Sequence, residues 1–416
     1  MDLATTKAQM RAVIEAHADL LVDTSHQIHD RPETNYDEHF AAGLLADVAE
    51  SQGLVVERGA FGVETAFVAR AGDTGPSIAV LCEYDALPGI GHACGHNVIA
   101  AAGLGAGLAA AAVAQAAGGR VVVMGTPAEE GGGGKILMAR QGAFDDIDVA
   151  MMVHPAGDDL ARMSTIAVQE LTATYAGEAA HAAAFPHRGR NALDAAVLGY
   201  LNVAALRQHI QPDERVHGVF SEGGDKPNIV PARAVTEWMV RSPTIASLAP
   251  LKDRVARCLE AGGLAAGCQV RLDWKPVVYA DMLDNEVLLA LYVANAATLG
   301  RTVEEPGVLR SVVGSTDMGN VSYLVPSIHP MIAAAPTGVP IHTTDFAMHA
   351  RSSTGDRAVI DGATALAWTV ADLWLRADQA RAVHEEFVAT IESIEPGARR
   401  AALEDPTHPA RPGTEA

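Results

Sequence analysis

Short apolar runs alternate with helical stretches between residues 77 and 153, and this alternation constrains the fold more than any other feature of the sequence. The apolar runs cover residues 78–82, 121–125 and 149–153, and helical stretches at 98–117 and 135–140 separate them. Strand-length runs separated by helices are typical of a sheet covered by helices. We therefore predict an α/β domain built around such a sheet.

A different order of elements follows Thr165. A strand, a helix, two strands, a helix and a strand are predicted in turn over residues 166–176, 191–209, 216–222, 234–241, 246–261 and 269–277. This order is that of a ferredoxin-like α+β unit. Because helical and strand runs resume after Asp281, at 286–299, 327–335 and 358–394, the second domain is predicted to be inserted into the first. The expected bounds are 1–165 with 278–395 for the first domain, 166–277 for the inserted domain and 396–416 for a loose tail.

The composition argues against some partners. Lys and Arg number 30 against 51 Asp and Glu, and the resulting net charge of −21 repels nucleic acid and anionic lipid. Residues 98–117 carry no charge and reach membrane-spanning length, but their Ala and Gly content favours a helix buried under the sheet. No apolar run follows Lys7 and Arg11, so no secretory signal is visible. We expect a cytoplasmic protein with neither a nucleic-acid nor a membrane partner.

The four cysteines are expected to be reduced thiols, because the sequence shows no secretion signal. Cys82, Cys258 and Cys268 stand in strand-like or helical segments, where a small buried hydrophobe is the usual role. Cys94 differs, since it belongs to the cluster His92-Ala93-Cys94-Gly95-His96.

Residues two apart in an extended or turning loop face the same way, so Cys94 and His96 can bind one ion. Thiolate and imidazole together suit zinc and similar divalent metals. Taken alone, this motif is explained equally well by a buried cysteine beside a hydrogen-bonded histidine.

Chemically able residues follow each of the three apolar runs. Glu83 and Asp85 follow the first run, Glu129 and Glu130 the second, and His154 the third. Ligands of such sheets bind in the crevice beyond the carboxyl ends of the strands, so we expect these side chains to share one crevice. A lone histidine such as His154 is more often structural, but the shared crevice favours a functional role.

The pair Glu129-Glu130 precedes four glycines, residues 131–134. Adjacent carboxylates on backbone that bends freely allow one to bind a metal and the other to face a metal-activated water, as hydrolysis requires. We assign Glu129 as the general base and Glu130 as the ligand. A solvated acidic turn is the alternative interpretation of an isolated Glu-Glu pair.

Together these segments resemble the aminoacylase and carboxypeptidase family of dinuclear metallohydrolases, over nearly the whole chain from about His29. The likeness is greatest to the branch that contains p-aminobenzoyl-glutamate hydrolase and dipeptidases of basic dipeptides. Its carriers are Glu83-Tyr84-Asp85-Ala86-Leu87-Pro88, Cys94-Gly95-His96-Asn97, Gly125-Thr126-Pro127-Ala128-Glu129-Glu130, His154-Pro155, His181-Ala182-Ala183, Gly189-Arg190-Asn191-Ala192, Asn228-Ile229-Val230-Pro231, Gly314-Ser315-Thr316-Asp317 and His342-Thr343.

The resemblance implies a zinc-exopeptidase-like catalytic domain with a helix-covered mixed sheet, and an inserted ferredoxin-like lid and dimerisation domain. It also implies two divalent metal ions, zinc or manganese with cobalt as a further possibility, held by Cys94, His96, Glu130, His154 and His342. Spacing alone does not select His342, because His329 and His349 are equal candidates.

Further roles come from the same resemblance. His181 is implied to stabilise the tetrahedral oxyanion, in relatives usually across a dimer, and Asn228 to hold the substrate. Arg190 and Arg241 could bind a substrate carboxylate or serve as surface charges. Other members have a histidine at the position of Glu83, so Asp85 is interpreted as an organiser of the ligands.

The sequence thus predicts a homodimeric metallo-amidohydrolase that cleaves an amide bond in a small N-acyl amino acid or dipeptide-like substrate. One alternative keeps the fold but deacylates aromatic or hormone-conjugate N-acyl amino acids. Another is a non-catalytic member that binds a small molecule.

Overall fold

The computed structural model describes residues 1–307 and 313–403. These residues form two compact units. The first contains Met1–Ser164 and Met282–Ile394, and the second contains Thr165–Asp281 with the described residues from Glu395 onward.

The strands, in chain order, are β1 (Val55–Arg58), β2 (Phe67–Ala71), β3 (Ser77–Cys82), β4 (Arg120–Gly125), β5 (Val149–Met151), β6 (His154–Ala156), β7 (Ser164–Thr165), β8 (Ala167–Ala176), β9 (Arg215–Glu222), β10 (Arg233–Ser242), β11 (Gln269–Tyr279), β12 (Val313–Gly314), β13 (Ser327–Ile328) and β14 (Met331–Ala333).

The helices, in chain order, are α1 (Leu3–Ala16), α2 (Ala18–Asp30), α3 (His39–Ser51), α4 (His96–Ala111), α5 (Ala114–Ala117), α6 (Gly134–Arg140), α7 (Ala192–Leu206), α8 (Ile245–Ala266), α9 (Glu286–Thr298), α10 (Met318–Ser322), α11 (Thr344–Ala350), α12 (Ser353–Leu375), α13 (Ala377–Ser393) and α14 (Ala398–Ala401).

The main sheet of the first unit has the order β1-β2-β4-β3-β5-β13. Strands β4, β3, β5 and β13 run parallel, whereas β1 and β2 add an antiparallel edge. Every residue of β3 is buried, as expected for a parallel strand covered on both faces. The predicted fold class, a mixed sheet among helices, is confirmed.

Helix α4 contains most of the charge-free stretch and is buried from His96 to Ala110. It packs against β3 and β4, and small residues let it approach the sheet closely. A Cβ atom on Gly107 would lie only 2.0 Å from Val123 Cγ2, so glycine is required there. The stretch is therefore a core helix. Helix α12 also has the length and composition of a membrane span, yet 83% of its most apolar window is buried.

Three predicted elements end early or are interrupted in the structure. The run 149–153 ends at Met151, and His154–Ala156 pairs instead with Met331–Ala333 in a separate two-stranded sheet. The predicted strand 327–335 is interrupted at His329 and Pro330, since proline has no N–H to donate to a ladder. The predicted helix 358–394 breaks at Arg376, whose backbone is not helical.

The second unit has the sheet order β11-β8-β10-β9, antiparallel throughout, with helices α7 and α8 packed on it. The predicted β-α-β-β-α-β order is confirmed. A capping box at Thr244 and Ser247 begins α8, and the Asp281 carboxylate accepts a hydrogen bond from Ile245 N. The prediction of a loose tail from residue 396 is wrong at its start, because Ala398–Ala401 forms a helix. Residues 404–416 lie outside the described residues.

Candidate metal centre

The cluster around Cys94 is built where β3 leads into α4. Gly95 adopts a left-handed conformation with φ of 78°, and a Cβ there would lie 2.6 Å from Pro155 Cγ. Glycine at this position lets the chain turn between Cys94 and His96, and both side chains are buried. The Cys94 Sγ lies 3.4 Å from His154 Nε2. The structure thus brings together Cys94 and His96, from the β3–α4 connection and the start of α4, and His154, from β6.

Two backbone hydrogen bonds, from Ala128 and from Glu130, fix the acidic loop that follows β4. Ala128 has a φ of 58°, which is unusual for a residue with a side chain, and its N–H donates to the buried Glu38 carboxylate at 2.9 Å. The Glu130 N–H donates to Asp85 Oδ2 at 3.0 Å. Glu129 therefore stands between two fixed backbone positions. Burial, followed by the charges of Glu83 and Glu130, raises the Glu129 pKa well above its ordinary value.

Second hydrogen bonds fix the orientation of both buried histidines. His96 Nδ1 lies 3.0 Å from Asp85 Oδ1, and His154 Nδ1 lies 2.8 Å from the Pro155 carbonyl oxygen. Because each oxygen accepts the Nδ1 proton, each Nε2 presents its lone pair to the site. Burial, followed by the charge of His96, lowers the His154 pKa to about 4, which keeps that imidazole neutral. The position of Asp85 matches the organising role inferred from sequence.

His342 completes the cluster from a distant part of the chain. Its N–H donates to the Ala93 carbonyl at 2.8 Å, its φ is 64°, and its Nε2 lies 3.3 Å from Glu130 Oε1. Of the two competing histidines, His329 is buried behind His154 with ring centroids 5.3 Å apart, and His349 stands on α11 outside the candidate ligand groups found in the described residues.

Among the residues that the structure describes, three overlapping groups of ligand atoms result, each with all its atoms within 4.8 Å of one another. They are Cys94, His96 and His154; Cys94, Glu130 and His342; and Glu83, His96 and Glu129. The structure thus brings together all five predicted ligands and the predicted base.

This donor set fits a pair of metal ions. Among the described residues, the buried His96 Nε2 and Glu130 Oε1 have no hydrogen-bond partner, although they lie 3.8 Å apart. Ligand atoms bound to one ion at about 2.0–2.2 Å in a tetrahedron are separated by about 3.3–3.6 Å. The spacings of 3.4 Å from Cys94 to His154 and 3.3 Å from His342 to Glu130 are of this size. Buried donors without partners are explained by a cation that they share.

Sequence reasoning missed a buried network beside these donors. The Lys135 ammonium contacts Glu83 Oε1 at 2.5 Å and Asp317 Oδ1 at 2.6 Å, and all three side chains are fully buried. Burial alone would lower the Lys135 pKa, but Asp317 and Glu83 raise it, so the lysine stays charged. Burial raises the Asp317 pKa to about 6 in spite of the lysine. A lysine at the start of an apolar helix carries no sequence signal for such a role.

The predicted residues of the second unit lie in a different setting. His181 is exposed, and its Nδ1 accepts from the N–H groups of Ala183 and Ala184 at 3.3 and 3.2 Å, which leaves Nε2 as the donor. Asn228 is exposed, and its carbonyl accepts from the Ala182 N–H. The roles of His181 and Asn228 stay predictions.

The two predicted arginines differ in their partners. Arg190 forms an ion pair with Glu178 at 2.7 Å. The buried Nε of Arg241 has no hydrogen-bond partner in the part of the chain that the structure describes, and its Nη2 contacts only the weak acceptor Met239 Sδ at 3.4 Å. Arg241 therefore retains more capacity to bind an anion than Arg190 does.

The chain is similar to proteins of one peptidase family. Residues 79–372 match peptidase family M20/M25/M40. The Xaa-Arg dipeptidase of Mus musculus is 37% identical over 406 residues, which cover 94% of this chain and 94% of the mouse protein. One subunit of the p-aminobenzoyl-glutamate hydrolase of Escherichia coli strain K12 is 30% identical over 435 residues, covering 87% of this chain and 90% of that protein. A dinuclear metal-binding M20 peptidase from Bacillus subtilis has a similar fold, with a TM-score of 0.67 at 18% identity over 87% of this chain and 99% of the other.

The fold and these relatives define a hydrolase of the metallopeptidase class. The chain belongs to the peptidase family M20/M25/M40. The resemblance inferred from motifs, the enzyme class and metal-dependent amide hydrolysis as the general function are confirmed.

Proposed function

We propose that the protein hydrolyses the amide bond of a small dipeptide-like or N-acyl amino acid substrate at a dinuclear site held by Cys94, His96, Glu130, His154 and His342. The observation that carries this proposal is the set of buried donor atoms, His96 Nε2 and Glu130 Oε1 among them, that converge without partners of their own in the described structure. Mixed thiolate, imidazole and carboxylate donors suit zinc, with manganese and cobalt as alternatives.

When bound, such cations polarise the scissile carbonyl and lower the pKa of a coordinated water. The remaining work falls to side chains of the protein. The Glu129 carboxylate takes a proton from the attacking water and delivers it to the leaving amine. Asp85 and the Pro155 carbonyl keep His96 and His154 in the tautomer that binds a cation.

The substrate class is inferred from the two full-length relatives. One is named for dipeptides that end in arginine and the other for p-aminobenzoyl-glutamate. Each of these two substrates contains an amide-linked amino acid with a free carboxylate. Arg241, on β10, is our candidate for binding that carboxylate, since its guanidinium is incompletely satisfied.

A substrate panel on metal-reconstituted protein tests the proposal. Xaa-Arg and β-alanyl dipeptides, p-aminobenzoyl-glutamate, simple N-acyl amino acids and hormone-conjugate amino acids are compared by kcat/KM, and bound metal is measured in the same samples. We expect two metal ions per chain and turnover of a dipeptide or acyl-glutamate. Preference for aromatic or hormone conjugates would favour the deacylase alternative, and a folded protein that takes up no metal would refute the proposal.

We also propose a cytoplasmic homodimer that pairs through the second unit. Supporting features of that unit are the edge strands of its sheet and three exposed apolar side chains, Leu201, Val219 and Phe220, at 57%, 63% and 42% exposure. Light scattering after size-exclusion chromatography measures the molar mass. A mass of one chain at micromolar concentration would contradict the dimer.

A further inference from the structure

The network of Glu83, Lys135 and Asp317 has an asymmetry that its own ion pairs do not explain. Lys135 is held by both carboxylates, and its backbone N–H also donates to Asp317 Oδ2 at 2.9 Å. Both oxygens of Asp317 are thus used inside the network. Glu83 uses only Oε1, and its Oε2 has no hydrogen-bond partner among the described residues.

The unused oxygen of Glu83 points at the metal centre. Oε2 lies 3.6 Å from His96 Nε2, which is itself buried and without a hydrogen-bond partner in the described structure. Glu83, His96 and Glu129 form one of the groups whose ligand atoms lie within 4.8 Å of one another. A distance of 3.6 Å is too long for a hydrogen bond, but it suits two ligands of one ion.

A purely structural role does not account for this geometry. Neutralising Lys135 requires one carboxylate, which Asp317 already supplies at 2.6 Å. A second fully buried carboxylate with an unsatisfied oxygen is costly unless a cation compensates it.

We propose that Glu83 is a further metal-binding carboxylate, whose Oε2 binds the cation shared with His96 while Lys135 and Asp317 fix Oε1. Lys135 and Asp317 are then positioning residues, because they reach the metal only through Glu83. This inference rests on the proposed function, since it adds a ligand to the same dinuclear site.

Two isosteric variants separate ligation from the general effect of charge. Glu83→Gln and Asp317→Asn each remove one negative charge from the same network, but only the first removes the oxygen aimed at His96. Zn²⁺ stoichiometry, Zn²⁺ affinity by chelator competition and the d–d absorption spectrum of the Co²⁺-loaded protein are measured for both variants and for the wild type.

We expect Glu83→Gln to lower the affinity for one of the two ions by about 100-fold or more and to change the Co²⁺ spectrum. Asp317→Asn should weaken the binding of that ion by less than about 100-fold and preserve the spectrum, because residues that only orient a ligand typically cost about 10- to 100-fold in metal affinity. Equal losses in both variants with unchanged spectra would overturn the inference.

The outcomes also separate this inference from the proposed function. A wild-type protein that takes up no metal would refute the function itself. A wild type that binds two ions, beside a Glu83→Gln variant that binds them equally tightly, would refute only the role of Glu83. If Glu83→Gln does not fold, the double variant Glu83→Gln with Lys135→Met, which removes one charge of each sign, replaces it. The same loss of one ion is expected there, and wild-type affinity in the double variant would overturn the inference.

Discussion

Except for the exposed His342, the predicted metal ligands of the first unit are largely buried, whereas His181 and Asn228 of the second unit are exposed. In the first unit, Cys94, His96 and His154 are buried, and a second hydrogen bond fixes each imidazole. In the second unit, the imidazole of the exposed His181 accepts hydrogen bonds from two N–H groups of its own loop. Burial strengthens binding of a cation because it removes competing water, whereas residues that meet an incoming substrate must stay accessible. The difference agrees with our proposal that the first unit holds the metal and proton chemistry and that exposed groups of the second unit bind the substrate.

The largest effect is expected from Glu129→Gln. This change removes the general base, so kcat should fall by about 10²- to 10⁴-fold. Two metal ions should remain bound, because Glu129 is assigned no role as a ligand. Steady-state kinetics with metal analysis measures both quantities, and turnover at the parental rate would show that the base has been assigned wrongly.

His181→Ala tests the exposed side of the comparison. Loss of one donor to a developing oxyanion typically lowers kcat by about 10²- to 10³-fold. Metal content should not change. His187→Ala is the control, since His187 is another exposed histidine of the same unit to which no role is assigned. If both variants retain full activity, His181 does not act in the reaction.

Cys94→Ser should reduce the stability that metal confers. A ligand at 100 times its dissociation constant stabilises the folded state by about 2.7 kcal/mol, and loss of the thiolate should remove most of this gain. Cys268→Ser is the matched control, because Cys268 is a largely buried thiol of the second unit. Chemical unfolding with and without Zn²⁺ provides the measurement. An equal gain in both variants would exclude Cys94 as a ligand.

A smaller effect distinguishes the two arginines. Arg241→Ala should raise KM by about tenfold for a substrate with a free carboxylate, since a charged hydrogen bond contributes about 1.5–3 kcal/mol. Arg190→Ala should change KM by less than about twofold, because Glu178 already pairs with Arg190. Both variants are assayed with acid and amide forms of one substrate. A larger rise in KM for Arg190→Ala than for Arg241→Ala would show that Arg190, and not Arg241, binds the substrate carboxylate.

The stability of the metal-free protein should depend on pH through Glu129. Burial raises the Glu129 pKa above its ordinary value of about 4.5, so above that pH the folded carboxyl keeps a proton that the unfolded chain releases. The carboxyl therefore lowers the free energy of unfolding as pH rises. Metal-free Glu129→Gln should equal the wild type near pH 4 and be more stable at pH 8. Parallel stability curves from pH 4 to 8 would contradict the raised pKa.

Much of the fold is encoded in local sequence patterns. The alternation of apolar runs predicts β3, β4 and their helices, and the position of ligands beyond strand ends predicts that Asp85, Glu129, Glu130 and His154 lie near one another. The position of His342 is different, because it depends on a backbone contact with Ala93 made by residues almost 250 positions apart. No local period carries that information, so the family resemblance was needed to select it.

The Glu83–Lys135–Asp317 network could not be predicted from the sequence either. Three charged residues that are far apart in the chain are fully buried together, although residues of these types usually lie at the surface. Only tertiary packing reveals that Lys135 lies between two carboxylates. The early end of the run at Met151 was missed for a related reason, since β6 pairs with β14 and the His154 N–H donates to the carbonyl of Pro330, a residue far away in the chain.

Anomalous diffraction from crystals grown with Zn²⁺ tests the central claim most directly. We expect two zinc peaks per chain within bonding distance of the side chains of Cys94, His96, Glu130, His154 and His342. Absence of peaks at these five side chains, in crystals that contain zinc at other sites, would contradict it.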